Sequence, residues 1–124
     1  MISFHPILLA LGLTLLAQPA LAEPVVVSSK IDTEGGVLGN MILLALENAG
    51  IEVENKLQLG GTPILRDAIT TGQVDIYPEY TGNAAFFFNE ADSAIWKDAA
   101  EGASRAAELD LAANKIVWLS AAPA

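Results

Sequence analysis

The sequence predicts an α/β fold, a parallel sheet with flanking helices. Short apolar or β-branched runs recur at Val25, Lys56, Val74 and Lys115, and stretches with helical periodicity separate them. The connections are short and marked by Gly, Thr and Pro. Strands that alternate with helices in this way imply right-handed crossovers between parallel neighbours.

The first strand is expected over Val25 to Ser28, in "VVVSSK", followed by a turn at "IDTEGG". A helix from about Gly36 to Asn48 carries apolar residues around most of its circumference, which predicts packing on more than one side. Gly50 provides its left-handed stop. The second strand is expected by Lys56 to Leu59. In "GGTPILRDAITTG", Thr62 suits an N-cap, Pro63 the first helical position, and Ile64, Leu65, Ala68 and Ile69 form one apolar stripe ending at Gly72. "VDIY" predicts a third strand. Another helix should start at Thr81, with Phe86, Phe87 and Phe88 in the core. A longer outer helix is expected from about Ser93 to Leu111, then a fourth strand in "KIVWL", Lys115 to Leu119.

The 124 residues leave room for one domain at most. Residues 1–22 read as a secretory signal peptide: an apolar run from Ile7 to Ala17 ends in Ala20-Leu21-Ala22, a small-x-small cleavage site. The run is short for a spanning helix, which needs roughly 20 apolar residues. Residues 23–124 then carry all 15 acids and all 6 bases, a net charge of −9. That balance offers no basic patch for nucleic acid. The chain has no cysteine, which excludes thiol catalysis, disulfides and a lipoprotein anchor; its one histidine, His5, lies in the leader. No imidazole remains for acid–base chemistry or metal binding, so a binding protein without cofactor is expected rather than an enzyme.

In a parallel sheet, ligands gather beyond the carboxyl ends of the strands. Three unusual segments fall on that rim: Ser29 and Lys30, then Gly60 to Thr62, then Tyr77 to Asn83. Lys30, beside "TEGG" and a helix start, suits a small carboxylate, or is a surface lysine. Tyr77 and Tyr80 offer ring faces to a methylated ammonium, or pack on neighbouring helices. Asp75 and Glu79 lack the partners for paired-carboxylate catalysis; Asp75 suits a sheet-edge or capping role, and Glu79 could orient the tyrosines or the next turn. Neither phosphate-binding glycine motif is complete.

With those residues in place, the chain resembles the periplasmic substrate-binding proteins of osmoprotectant ABC importers, the glycine betaine, choline and carnitine class. "SSKIDTEGGVLGNMI", "LGGTPILRDAITTGQVDIYPEYTGN" and "WLSAAPA" carry the resemblance across Val25 to Ala124. It implies a two-lobed type II periplasmic-binding-protein fold, with residues 23–124 an incomplete first lobe and the chain a truncated member. It implies a periplasmic monomer that binds a quaternary-amine solute under osmotic stress and delivers it to an inner-membrane permease and its ATPase. By resemblance Tyr80 helps cage the quaternary ammonium, Lys30 meets the ligand carboxylate, and Asn83 replaces a threonine that contacts it; Tyr77 and Thr62 complete the candidate set. Further aromatics and an arginine are expected from regions beyond this sequence. The alternatives are a receptor for another small solute, such as an amino acid, and a remnant that binds nothing.

Overall fold

The computed structural model describes residues 22–122, so the predicted leader lies outside the described residues except for Ala22. Strand β1 (Val25–Lys30) and strand β2 (Val53–Gly60) pair in parallel, starting at Val25 opposite Val53. Both strands outrun the expected limits. The register breaks between Ser28 and Lys30, where β1 advances from Ser28 to Lys30 while β2 advances from Lys56 to Gly60. Gln58 absorbs the excess with a left-handed φ of 55°, and its backbone N–H donates to Ser29 Oγ at 2.9 Å.

On the other edge of β1, the expected third strand shrinks to a single parallel bridge between Val27 and Ile76. The side chain of Asp75 explains the late start. Its Oδ2 accepts the Val26 N–H at 2.8 Å, a donor that a longer ladder would spend on a backbone carbonyl. Two residues past the bridge, Pro78 has no N–H to offer. Asp75 is thus the edge group that the sequence suggested.

Helix α1 (Thr33–Asn48) begins earlier than predicted, because Asp32 caps it by accepting the Gly35 N–H at 2.7 Å. It lies close against the sheet through Gly39, where a Cβ would fall 2.5 Å from Leu57 Cδ2 and 2.8 Å from Ser29 Cβ. Only one side is buried, through Gly35, Gly39 and Leu43; Val37, Met41 and Leu44 face outward. Packing on several sides is therefore not met among the described residues. Helix α2 (Thr62–Thr70) is capped by the backbone of Gly61, and Thr62 is its first residue rather than its cap.

Tyr80 precedes a 3-10 turn (Thr81–Asn83) that runs into the short helix α3 (Ala84–Phe87); Thr81 makes no capping bond. Phe87 and Phe88 are half-buried, but Phe86 is 71 % exposed, so the three do not share the core. The long helix expected from Ser93 is broken in two. A 3-10 turn (Ala94–Lys97) gives way at Asp98, whose extended backbone and carboxylate cap helix α4 (Ala99–Asn114). The core comprises Val27, Leu65, Ala68, Val74, Ala84, Ala85 and Ala106, with Leu43 beneath α1.

The fourth strand does not form among the described residues. Lys115 ends α4 with a left-handed φ of 61°, and the segment beyond it has no ladder partner. Its alternation survives all the same: Ile116 and Trp118 turn inward, while Val117 and Leu119 are exposed. A period of two needs only the local chain, whereas a strand also needs a neighbour.

Candidate functional site

Four of the five candidate residues converge on one carboxylate. Lys30 reaches the rim as the last residue of β1 and is itself buried. Its ammonium pairs with Glu79, whose side chain is only 6 % exposed. Glu79 Oε1 also accepts the Tyr80 backbone N–H at 2.7 Å and Asn83 Nδ2 at 2.8 Å. Its second oxygen accepts the Tyr77 hydroxyl at 3.1 Å. A buried carboxylate needs such partners, because desolvation penalises every unpaired charge. Glu79 is thus the orienting group the sequence hinted at, reaching further than the tyrosines alone.

The Lys30 ammonium also lies 4.6 Å from the centroid of the Tyr80 ring, within cation–π range. Tyr80 is 46 % exposed, so the ring forms part of the surface. Its phenol is pushed up to about 12, first by the nearby Glu34 carboxylate, then by desolvation and by Asp32 and Glu79. Burial, reinforced by Glu79, pushes the Tyr77 phenol higher still above the ordinary value. Lys30, Asp32, Glu79 and Tyr80 line a cavity of about 30 Å³, water-sized rather than solute-sized. A solute larger than water does not fit inside it.

Thr62 stands apart from this cluster. It lines an open groove of about 550 Å³ between α2 and α3, together with Arg66, Thr70, Phe86 and Phe87. Asn83 lines the same groove while its amide holds Glu79, so it forms the wall between groove and cluster.

A second polar constellation went unnoticed in the sequence. Asp110, fully buried on α4, accepts Arg66 Nη1 at 2.8 Å, a second bond from Arg66 Nη2, Asn114 Nδ2 at 2.8 Å and Trp118 Nε1 at 2.6 Å. Burial alone would raise this carboxyl, but the bonds from Arg66, Trp118 and Asn114 outweigh it and hold Asp110 below the usual carboxylate range. Arg66 also stacks on Phe87, 4.4 Å from its centroid. The available signal was spacing: Gly102, Ala106 and Asp110 make one buried stripe at intervals of four, and a carboxylate on such a stripe requires a partner. Among the described residues there is no group of three or more side chains that could hold a metal ion, and no helix is long and apolar enough to cross a membrane.

Residues 23–121 match the substrate-binding domain of ABC-type glycine betaine transport systems. The chain belongs to this family. The glycine betaine-binding protein YehZ of Escherichia coli is 56 % identical over 103 residues, which cover 83 % of this chain and 34 % of YehZ. The glycine-betaine-binding protein of Pseudomonas aeruginosa is 35 % identical over 81 % of this chain and 31 % of its own. The ergothioneine transport permease/ergothioneine binding protein EgtU of Helicobacter pylori is 38 % identical over 63 % of this chain and 14 % of its own. The solved structure of apo YehZ superposes with a TM-score of 0.82, covering 83 % of this chain and 37 % of that one. The chain therefore spans about a third of the length of the glycine betaine-binding relatives it matches. The α/β fold is that of an osmoprotectant substrate-binding protein, in part of a lobe, and the family comprises transport receptors rather than enzymes.

Proposed function

We propose that residues 23–124 form the first-lobe part of a receptor for quaternary-amine osmoprotectants of the glycine betaine and choline type. The observation that carries the reading is the Lys30 ammonium held 4.6 Å from the Tyr80 ring, because the same rim residue that accepts this cation can present its ring to a solute ammonium. A trimethylammonium donates no hydrogen bonds, so aromatic faces are its natural contacts, each contributing about 0.5–2 kcal/mol. Glycine betaine and ergothioneine, the solutes named for the relatives, both join such a group to a carboxylate. Lys30, Asn83 and Thr62 are the groups offered to that carboxylate, and Tyr77 supports Tyr80 through Glu79.

In this reading residues 1–22 are a leader removed on export, and the family match beginning at Glu23 supports that boundary. The receptor then works in the periplasm as a monomer and hands its solute to an inner-membrane permease driven by an ATPase. One ring face does not offset the immobilisation of a solute, so binding by this chain alone should be weak.

Titration of the full chain with glycine betaine, choline, carnitine and proline, followed by calorimetry and by the Tyr80 ring resonances, tests the reading. Quaternary amines should shift the ring, and Tyr80→Leu should weaken them by about 0.5–2 kcal/mol. A response to proline alone, or one indifferent to Tyr80→Leu, assigns another solute class. Silence with all four sinks the proposal.

A further inference from the structure

The groove between α2 and α3 has the size of a ligand site, whereas the cavity beside Tyr80 does not. Solute pockets hold about 300–1,000 Å³. The groove holds about 550 Å³ and the cavity about 30 Å³. Two of the groups offered to a solute carboxylate, Thr62 and Asn83, line the groove rather than the cavity. Asn83 also joins the groove to the residue that presents the caging ring. Its backbone N–H donates to the Tyr80 carbonyl at 3.0 Å, and its side-chain amide shares the Glu79 Oε1 acceptor with the Tyr80 N–H. Three residues further on stands Phe86, which lines the groove and is 71 % exposed. Tyr80, Asn83 and Phe86 thus recur at intervals of three through the 3-10 turn and into α3, a spacing that sets side chains beside one another.

We propose that this rim takes betaines with an aromatic substituent on the carbon that bears the ammonium, the ring lying in the groove against Phe86; the inference rests on the receptor reading and names its substrate class. In such a solute one tetrahedral carbon carries all three recognised groups. The trimethylammonium goes to Tyr80, the carboxylate to Lys30 and Asn83, and the side chain to Phe86. Glycine betaine has only hydrogen in the third place. The walls of the groove favour an uncharged ring. Arg66 already stacks on Phe87 at 4.4 Å and is paired with Asp110, so Phe86 is the aromatic face left open to a solute. Asp67 lines the groove as well, which disfavours an acidic substituent. A ring set edge-on or offset against Phe86 gains from the aromatic pair in addition to the apolar area it buries.

Calorimetric titration of the full chain with glycine betaine and with N,N,N-trimethyl-L-phenylalanine compares the two solutes directly. The phenyl-bearing betaine should bind about tenfold more tightly, the order that one partly buried ring and one aromatic pair supply. Phe86→Ala should bring the two affinities close together, and Phe86→Tyr, which keeps a ring, should retain the preference. Both substitutions fall on an exposed side chain, so the fold does not depend on them. In the wild-type complex, nuclear Overhauser contacts should join the solute phenyl protons to the Phe86 ring. Equal affinities overturn the proposal, and so does an advantage that survives Phe86→Ala, since the phenyl group then binds elsewhere. A loss of both solutes in equal proportion on Phe86→Ala marks a structural role and overturns it too. Binding of glycine betaine alone overturns the proposal but keeps the receptor reading, whereas silence with both solutes removes both.

Discussion

Arg66 on α2 and Asp110 on α4 form a two-pronged ion pair across 44 positions of sequence, with Asp110 wholly buried and the Arg66 side chain 16 % exposed. The pair ties the helix after β2 to the last helix and, through Trp118, to the chain beyond it. Removing one partner of such a pair strands a charge in the interior. Asp110→Ala should therefore destabilise the fold by about 3–5 kcal/mol, read as a lower urea midpoint at unchanged slope. The same residue sets an acid limit. Its native carboxyl is held below the ordinary value, so its contribution is complete above about pH 4 and fades as pH falls through the depressed value. Wild type should lose stability over that interval more steeply than Asp110→Ala.

Trp118→Phe tests what holds the terminal segment. It keeps an aromatic ring but deletes the Nε1–H that donates to Asp110 at 2.6 Å. A hydrogen bond to a charged group contributes about 1.5–3 kcal/mol, and the variant should lose that much. Hydrogen exchange at the Ile116 amide, which donates to the Asp110 carbonyl, should accelerate beyond the change in global stability.

Gly35 offers a steric test of the rim. A Cβ there would meet the Lys30 carbonyl oxygen at 2.6 Å, and backbone cannot swing aside as a side-chain tip can. Gly35→Ala should cost about 1–3 kcal/mol and displace Lys30, visible in its side-chain resonances. Gly82→Ala is the matched control, since nothing lies within 4 Å of its Cβ position, and it should stay within about 0.5 kcal/mol of wild type.

The two tyrosines should ionise late. Ultraviolet titration should show little phenolate at pH 10, then Tyr80 ionising near about 12 with Tyr77 following at higher pH. Both native values lie above those of the unfolded chain. Their stabilising contribution is thus complete below about pH 10 and is lost as pH rises through the native values. Tyr77→Phe should reduce the alkaline loss of stability, because the hydroxyl facing Glu79 is the one most strongly discouraged from ionising.

The sequence by itself determined the order β1, α1, β2, α2, the β1–β2 crossover and the convergence of Lys30 and Tyr77 to Asn83 on one rim. Those follow from local periodicity, turn residues and the handedness of the chain, which act over a few residues at a time. It also predicted a fourth strand at Lys115 to Leu119, where the segment has no strand partner among the described residues. Only the tertiary structure decided that Lys30 answers to Glu79, that Thr62 lies in a separate groove with Asn83 as the shared wall, and that Asp110 gathers Arg66, Asn114 and Trp118. Charge pairing depends on ångström distances between distant segments and on how much water they exclude, and neither quantity is written in the spacing of residues along one helix or strand.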